Sequence, residues 1–473
     1  MKESIAIIGA GPAGITAAYQ LAKAGISVTV YEAGPLVGGL ARTITLWNQR
    51  VDVGPHRFFS TDNRVNSLWL EVVGRDYLMV NRLTRIFYKG RFFDYPLKPF
   101  DALSKLGFAT SLACLASYLK AKIAPKPLGC TFESWVESRF GRRLFEIFFK
   151  SYSEKLWGIP CEELDSNFAS QRIKKLSLSE VILSMLKLSR YSHKTLVDQF
   201  AYPLDGTGIV YDRMASMVLE LGGAIHLSTP VEKLLIEGKR VVGLVTVDGS
   251  IHQHSQVVST MPLTQLLDRF PDNPPHVDQA CRSLHFRNTI IVYLRVEESD
   301  LFPDNWVYIH APDLRCGRIT NFRNWVPELY GGQSDSILAM EYWCNAEDPE
   351  WTGPDSAMAD LAREEIKRSK LAKNFTVLDT KVLRIPKCYP VYRRGYQEHV
   401  DAISGHLQQF EGIQVIGRYG SFKYNNQDHS ILMGLLAAEN IAKGVNNDLW
   451  AINTDYENYQ EHSLITATGL CKS

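Results

Sequence analysis

Nothing in this 473-residue chain is apolar for long enough to cross a bilayer. The most membrane-like stretch, Leu106 to Leu119 between Lys105 and Lys120, covers only about 14 residues, where a spanning helix needs about 20. It reads as a packed helix, with an interfacial helix as the other reading, and no stable membrane insertion is expected. Excess charge is missing too: the formal net charge is +1, which leaves no broad basic field to hold a phosphate backbone, so no nucleic-acid partner is expected. There is no CxxC pair among the eight scattered cysteines, which argues against a zinc site or a disulfide framework. No metal is expected, and a reducing, cytoplasmic setting fits. The first strand pattern begins almost at once and leaves no room for a signal peptide. No internal repeat or low-complexity linker breaks the chain, and its 45% hydrophobic content is enough for two or three domains with buried cores.

What is present starts at Ile5 to Glu32, IAIIGAGPAGITAAYQLAKAGISVTVYE. The apolar run Ile5-Ala6-Ile7-Ile8 reads as a buried parallel strand that breaks at Gly9-Ala10-Gly11-Pro12-Ala13-Gly14 into a helical pattern ending near Gly25. A second strand, Val28 to Tyr31, delivers Glu32. In such a βαβ unit Gly9 allows the tight turn, Gly11 admits a pyrophosphate against the backbone, and Gly14 lets helix and strand pack closely. Glu32, about 20 residues on, is placed to accept from a ribose hydroxyl.

Gly38-Gly39-Leu40-Ala41-Arg42-Thr43 follows directly, and Asp52-Val53-Gly54-Pro55-His56 closes another short β segment. Taken alone, this is a plain turn between strands. After the upstream glycines it resembles the flavoprotein superfamily that includes amine oxidases, protoporphyrinogen oxidase and UDP-galactopyranose mutase. That resemblance implies that Gly38, Gly39 and Arg42 lie along FAD.

Further on, the chain reads as one nucleotide-binding domain interrupted by insertions: an α/β protein with a Rossmann-like FAD-binding domain, an inserted helical domain and a mixed β-sheet substrate domain. A helix is expected at Asn63 to Val73, and a hairpin at Arg85-Ile86-Phe87-Tyr88 and Arg91-Phe92-Phe93-Asp94-Tyr95. Residues 1–96 are assigned to the FAD-binding part, 97–200 to the helical insertion on the substrate side, 201–285 to a second FAD-binding part that includes Val231, 286–390 to the mixed sheet, and 391–473 to a third FAD-binding part. The strand Gln256 to Thr260 is expected to rejoin the first sheet. Ile413 to Ile416 is read as a strand running into Gly417-Arg418, with a helix from near Ser430 whose N-terminus offers free N–H groups. The intervening loop is read as a second FAD contact, the alternative being an ordinary polar loop before a capped helix.

The segment GRYGSFKYNNQDHS, residues 417–430, is similar to the C-terminal flavin and substrate motif of UDP-galactopyranose mutases, particularly the eukaryotic type. Its residues between Tyr424 and Asn426 form a slightly shorter segment than in that family. Lys155-Leu156-Trp157-Gly158-Ile159-Pro160 with Gln171-Arg172 resembles the family's insertion segment, and Trp306-Val307-Tyr308 with Arg318 and Asn324-Trp325 resembles its second arginine segment. Tyr389-Pro390-Val391 resembles a further substrate-side tyrosine. The resemblance implies that Gly417, Arg418, Gln427 and Ser430 contact the cofactor. It implies that Tyr95, Lys98, Trp157, Trp306, Tyr308, Tyr389, Tyr424 and Asn426 line the substrate, and that Arg172 and Arg318 grip its diphosphate. Guanidinium forks match phosphate oxygens and stay charged, although either arginine alone is more often a surface ion-pair partner. Any one of the tyrosines, alone, is as readily a core residue.

The activity so implied is a nucleotide-sugar pyranose/furanose mutase of polysaccharide biosynthesis. Its FAD is reduced by NADPH or NADH, N5 attacks the anomeric carbon, and no net redox change follows. His56 would help favour the reduced form, whereas a histidine after Gly-Pro is by itself more often a turn residue. A homo-oligomer is compatible with the sequence. Two departures bear on the substrate: the mutases usually carry two glycines before the histidine where Gly54-Pro55 stands, and a glutamine near the uracil at the position of Lys98. The rival is an oxidoreductase of the amine oxidase or protoporphyrinogen oxidase type, which has no need of the arginine pair.

Overall fold

In the computed structural model, residues 4–124, 129–167, 199–372, 375–452 and 465–470 are described. Strand Ser4–Ile8 is flanked in parallel by Ser27–Tyr31 and Gln256–Ser259, and the sheet continues to Ala224–His226 on one side and Ile413–Val415 on the other. Ile5, Ala6 and Ile7 are fully buried. Helices cover one face, under Ile5 and Ile7, and Val231, Leu234, Val241 and Leu244 of an antiparallel sheet share the core on the other with Ala6 and Ile8, which is why this strand is continuously apolar instead of alternating. Helix Pro12–Lys23 packs on helix Gln427–Lys443. The absent side chain of Gly434 makes this possible, since a Cβ there would stand 2.5 Å from the Ala13 carbonyl oxygen. Gln256–Ser259 rejoins this sheet as expected. The helix at Asn63–Val73 is also present, and Asp62 caps it by accepting from the Arg64 N–H.

A second sheet has seven strands in the order Val377–Pro390, Phe286–Val296, Ser336–Cys344, Arg318–Asn321, Trp306–Ile309, Thr84–Tyr88, Arg91–Asp94. The hairpin read at residues 85–95 therefore exists, but Thr84–Tyr88 pairs in parallel with Trp306–Ile309 and extends this sheet. The segment 1–96 is thus divided between the two large sheets, with parts of two small two-stranded sheets, Thr43–Leu46 with Gln49–Asp52 and Tyr77–Asn81 with Gln199–Pro203, between them in sequence. Backbone hydrogen bonding decides this, because the edge left by the short strand Trp306–Ile309 is completed by the hairpin. Ser336–Cys344 is buried at every residue, covered on one face by helix Asp355–Ser369 and its neighbours. After the hairpin the chain forms the helices Pro99–Leu106, Phe108–Ile123, Phe132–Phe140 and a run from Arg142 to Trp157 that contains one π-helical turn at Glu146–Lys150. Leu144, Phe145, Ile147 and Phe148 of that run are core residues. The antiparallel strands Val231–Glu237, Arg240–Thr246 and Ile251–Gln253 make a small separate sheet.

Candidate cofactor and substrate site

The glycines of the first turn differ in what they make room for. Gly9 has φ +97°, and a Cβ on it would stand 2.1 Å from Thr260 Oγ1, whose hydroxyl donates to the Ile8 carbonyl. A Cβ on Gly14 would stand 2.0 Å from the Gly9 carbonyl oxygen. These two glycines serve the fold. At Gly11 the nearest heavy atom to a Cβ would be Gly39 Cα, at 3.9 Å, and a Cβ on Gly39 would stand 3.0 Å from Gly11 Cα, so the two glycine backbones touch. Gly11 is also the N-cap of helix Pro12–Lys23, without a side-chain cap and with no acidic residue in the first turn. The uncapped helix N–H groups along this glycine turn, outside the Gly11–Gly39 contact, offer a slot that suits the pyrophosphate of a dinucleotide.

Gly38 holds φ +91° and donates its N–H to the Ala10 carbonyl at 2.8 Å, and Arg42 Nη1 donates to the Gly39 carbonyl at 2.8 Å, which fixes the far wall of the slot. The Glu32 carboxylate accepts from the Ala10 and Gly34 N–H groups, both at 2.7 Å, one on each oxygen. A carboxylate accepts about four hydrogen bonds, so Glu32 retains capacity for a ribose hydroxyl. Thr229 N–H donates to the Glu32 carbonyl at 2.8 Å and so brings Val231 to the end of the same strand. Gly417, at φ +84°, lies against Ala13 and Thr260 beside the slot.

The second sheet sets the other half of the site by register. Tyr308 is paired with Arg318 across one strand boundary, and Arg318 with Glu341 across the next, so the three form a row on one face. Arg318 Nε donates to Glu341 Oε1 at 2.7 Å and Nη2 to Oε2 at 2.5 Å. Burial opposes the guanidinium charge, but Glu341 overcomes it and holds Arg318 ionised.

Around this pair the rings join edge to edge. Tyr95 meets Tyr308 at 4.9 Å, Tyr308 meets Tyr152 at 5.6 Å, and Tyr152 meets Trp343 at 5.6 Å. Trp343 meets Tyr389 at 6.2 Å, and Tyr389 stacks on Tyr424 at 5.4 Å with Trp157 against both. Trp306 abuts Tyr308 at 6.5 Å. Arg418 lies over Tyr424 and Tyr389, donating from Nε to the Cys388 carbonyl and from Nη1 to the Asn425 carbonyl. Trp157, Trp306, Trp343 and Tyr389 are buried, whereas Tyr308, Arg318, Arg418 and Tyr424 keep part of their surface exposed, so the wall is apolar behind and polar in front. Burial pushes the Tyr308 phenol up to about 12 and Tyr389 well above its ordinary value, which keeps both as hydrogen-bond donors at neutral pH.

His56 ties the two halves together. A Cβ on Gly54 would stand 3.4 Å from His56 Cε1 and 4.0 Å from Arg318 Nη2, so imidazole and guanidinium share the space beside that glycine. Burial, then Arg318 and Arg418, push the imidazole down to about 3, and it is neutral at physiological pH. The loop is anchored from below by Asp52. Its carboxylate accepts from the Thr43 hydroxyl at 2.6 Å, the Tyr202 hydroxyl at 2.7 Å and the Thr207 N–H at 3.2 Å, while Thr207 Oγ1 donates to the His56 carbonyl at 2.6 Å. Burial raises Asp52 to about 7 against these hydrogen bonds.

The structure brings Tyr95, Trp157, Trp306, Tyr308, Arg318, Tyr389, Arg418 and Tyr424 into one cluster, with His56 beside Arg318. Asn426 caps helix Gln427–Lys443, which begins three residues before Ser430. Gln427 accepts from Tyr211 at 2.7 Å and donates to the Arg57 carbonyl at 2.9 Å, and Ser430 is buried in the first turns. Lys98 is not brought in: its side chain is 73% exposed and ion-pairs with Asp94 at 2.9 Å. Arg172 lies outside the described residues. Sequence reasoning missed Tyr152, Trp343, Glu341 and Asp52. Glu341 did carry a signal, since it is a lone acid inside an apolar strand and such a group needs a built partner, whereas Asp52 ends a strand that also holds Gln49 and Arg50 and carried none. His56 Nδ1, Trp306 Nε1 and Trp343 Nε1 are buried without a well-formed hydrogen bond among the described residues, Trp306 lying against the Tyr308 phenol and His56 against the Gly54 backbone.

Residues 12–442 match the family of flavin containing amine oxidoreductases. A probable UDP-galactopyranose mutase of Klebsiella pneumoniae is 28% identical over 176 residues, covering 35% of this chain and 44% of that one, so the match spans less than half of that relative. An L-amino-acid oxidase of Naja atra is 27% identical over 323 residues, 61% of this chain and 58% of that one. Among solved structures, reduced UDP-galactopyranose mutase superposes with a TM-score of 0.84 at 20% identity, over 96% of this chain and 98% of that one. A putative protoporphyrinogen oxidase from Exiguobacterium follows at 0.72 and 16% identity, over 94% and 100%. The glycine turn and the uncapped helix N-terminus fit an FAD-type flavin, and the chain belongs to the flavin-containing amine oxidoreductase family.

Proposed function

We propose that this protein is a nucleotide-sugar mutase that interconverts pyranose and furanose forms on reduced flavin without net redox change. The observation that carries the reading is the row Tyr308–Arg318–Glu341 set among Tyr389, Tyr424 and Trp157 and adjoining His56. It combines a permanent cation and protonated phenols with an aromatic wall, the chemistry that holds a diphosphate while its bond to a sugar breaks. When bound and reduced by NADPH or NADH, a flavin supplies a nucleophile for the anomeric carbon.

The chain's own residues do the rest. Glu341 fixes the Arg318 fork on one edge, leaving Nη1 and the outer face for phosphate oxygens. Tyr308 and Tyr389 donate phenolic hydrogen bonds, and the surrounding rings exclude water and so strengthen both interactions. Neutral His56, pressed between two arginines, adds no third charge beside the leaving group and offers Nδ1 as a hydrogen-bonding atom. Lys98, facing solvent with Asp94, is a nucleobase contact only if it leaves that ion pair.

A second reading, an oxidoreductase that takes a hydride from its substrate, is favoured by the oxidase relatives and the apolar back wall. The deciding experiment is anaerobic reduction of the purified protein followed by incubation with pyranose and furanose nucleotide sugars and chromatography of the isomers. Interconversion that needs reduced flavin without consuming reductant supports the mutase. Stoichiometric flavin reduction by another compound, with no isomerisation, establishes the oxidoreductase.

A further inference from the structure

Helix Phe108–Ile123 presents a stripe that the cofactor and substrate site does not use. Phe108, Leu112, Leu115, Leu119 and Ile123 are all exposed, Phe108 at 87% and Ile123 at 82%. At about 100° per residue these five fall within about 80° of the helix circumference. The buried residues Cys114 and Tyr118 are turned away from them. The other side of the helix is fastened to the body of the protein. A Cβ on Gly141 would stand 2.7 Å from Ser117 C and Tyr118 N, so only glycine admits this approach, and Arg143 N–H donates to Ser117 Oγ at 3.1 Å. The stripe is therefore held outward by packing on its opposite face.

The charges on the helix point to what covers it. Its sequence, FATSLACLASYLKAKI, contains no acidic residue, and both its cations are at the C-terminal end. Lys120 and Lys122 flank the stripe, one on either side; Lys122 lies over the Tyr118 ring at 5.5 Å, and neither lysine is ion-paired to an acid among the described residues. Lysines at the boundary between an apolar and a polar face extend their heads to lipid headgroups while the apolar face enters the acyl boundary.

We propose that this helix docks the protein on an anionic lipid surface, lying in the plane of the interface. Its 16 residues make a rod of about 24 Å, shorter than the ~30 Å hydrocarbon core, and no helix among the described residues is long and apolar enough to cross a membrane. Self-association is the poorer fit. The stripe offers on the order of 600 Å² of apolar surface, so two copies would bury about 1,200 Å², the bottom of the range for a stable interface. Two copies meeting through it would also bring together lysines with no carboxylate to receive them.

The test is co-sedimentation of the flavin-loaded, full-length protein with vesicles of phosphatidylcholine containing phosphatidylglycerol, and with vesicles of phosphatidylcholine alone. Binding is expected to the mixed vesicles, weakened by salt. Lys120→Ala/Lys122→Ala lowers the partition coefficient about 30-fold, the loss for two lysines near an anionic surface. Leu112→Glu/Leu119→Glu, at positions where folding buries little, abolishes binding while flavin absorbance and circular dichroism stay unchanged. The proposal is overturned if the parent does not sediment with the mixed vesicles, or if the glutamate variant binds as well as the parent. It is equally overturned if sedimentation analysis finds a parent dimer that the glutamate variant converts to a monomer, because the stripe then belongs to a second copy.

Discussion

Arg318 and Glu341 face one another on adjacent antiparallel strands and meet through two hydrogen bonds, 2.7 and 2.5 Å long, with Glu341 almost wholly buried. Neither charge is tolerable without the other at that depth. Removing one partner of such a pair costs about 3–5 kcal/mol, whereas removing both leaves two neutral groups. Glu341→Gln and Arg318→Met should therefore each destabilise the fold by about that amount, and the double variant by less than their sum. Urea unfolding of the four proteins measures the coupling; additive losses would show that the pair is not coupled.

The same variants bear on the substrate. Arg318→Met should weaken binding of a nucleoside diphosphate while flavin content is unchanged, because Arg318 lies on the sheet of the aromatic wall and not in the glycine slot. Equilibrium dialysis with UDP reads this. Undiminished affinity in a folded, flavin-loaded Arg318→Met protein would remove the guanidinium from the proposed diphosphate site.

The three glycines of the first turn should separate fold from cofactor. A side chain on Gly11 meets nothing of the protein closer than 3.9 Å, and its φ of −75° is open to any L-residue. Gly11→Val should keep the circular dichroism of the parent and lose the flavin. Gly14→Val, aimed at a carbonyl oxygen 2.0 Å from the Cβ position, should lose stability as well. Retention of flavin by folded Gly11→Val would mean that the pyrophosphate does not occupy this slot.

How much of this was legible in the sequence depended on how local the cause was. The glycine turn and Glu32 were readable because every constraint on them acts within a few residues or across one βαβ unit, and the helix at Asn63–Val73 carried its own cap. The hairpin at residues 85–95 was readable as a hairpin, but its allegiance was not, because the strand that receives it comes more than 200 residues later. Trp343 and Tyr152 were hidden for the same reason. Nothing near them in the chain distinguishes a ring lining a cleft from one filling a core. Arg418 was read as a cofactor contact by resemblance, and the structure places its guanidinium over Tyr389 and Tyr424 with two backbone carbonyls.

That placement makes its own prediction. Lysine at position 418 keeps the charge but loses the planar fork, so it cannot stack on both rings while bonding the Cys388 and Asn425 carbonyls. Arg418→Lys should lower the thermal midpoint by about 1–2 °C, equivalent to about 1–2 kcal/mol, with flavin content intact. Flavin loss at an unchanged midpoint would instead put Arg418 on the cofactor.

Acid should destabilise this fold before the ordinary carboxylates titrate, although Asp52, raised to about 7, takes up a proton in the folded state over the same window and offsets the slope of one histidine. His310 is buried, stacks on Tyr152 at 4.7 Å, and is pushed down to about 3 by burial and then by the nearby Lys155 ammonium. An imidazole whose folded-state value lies below its ordinary 6.5 binds no proton in the native protein between pH 6.5 and 3, while the unfolded chain does. Stability is thus fully present above pH 6.5 and falls as the pH drops below it, with a slope of roughly 1.4 kcal/mol per pH unit for each such histidine. His56, pushed down in the same way, adds to the slope. Urea unfolding at closely spaced pH values between 7 and 5 should show the decline, and His310→Asn, which has no proton to take up, should flatten it. A variant with the parent's slope would mean that His310 is protonated in the folded protein, with its charge accommodated between Tyr152 and Lys155.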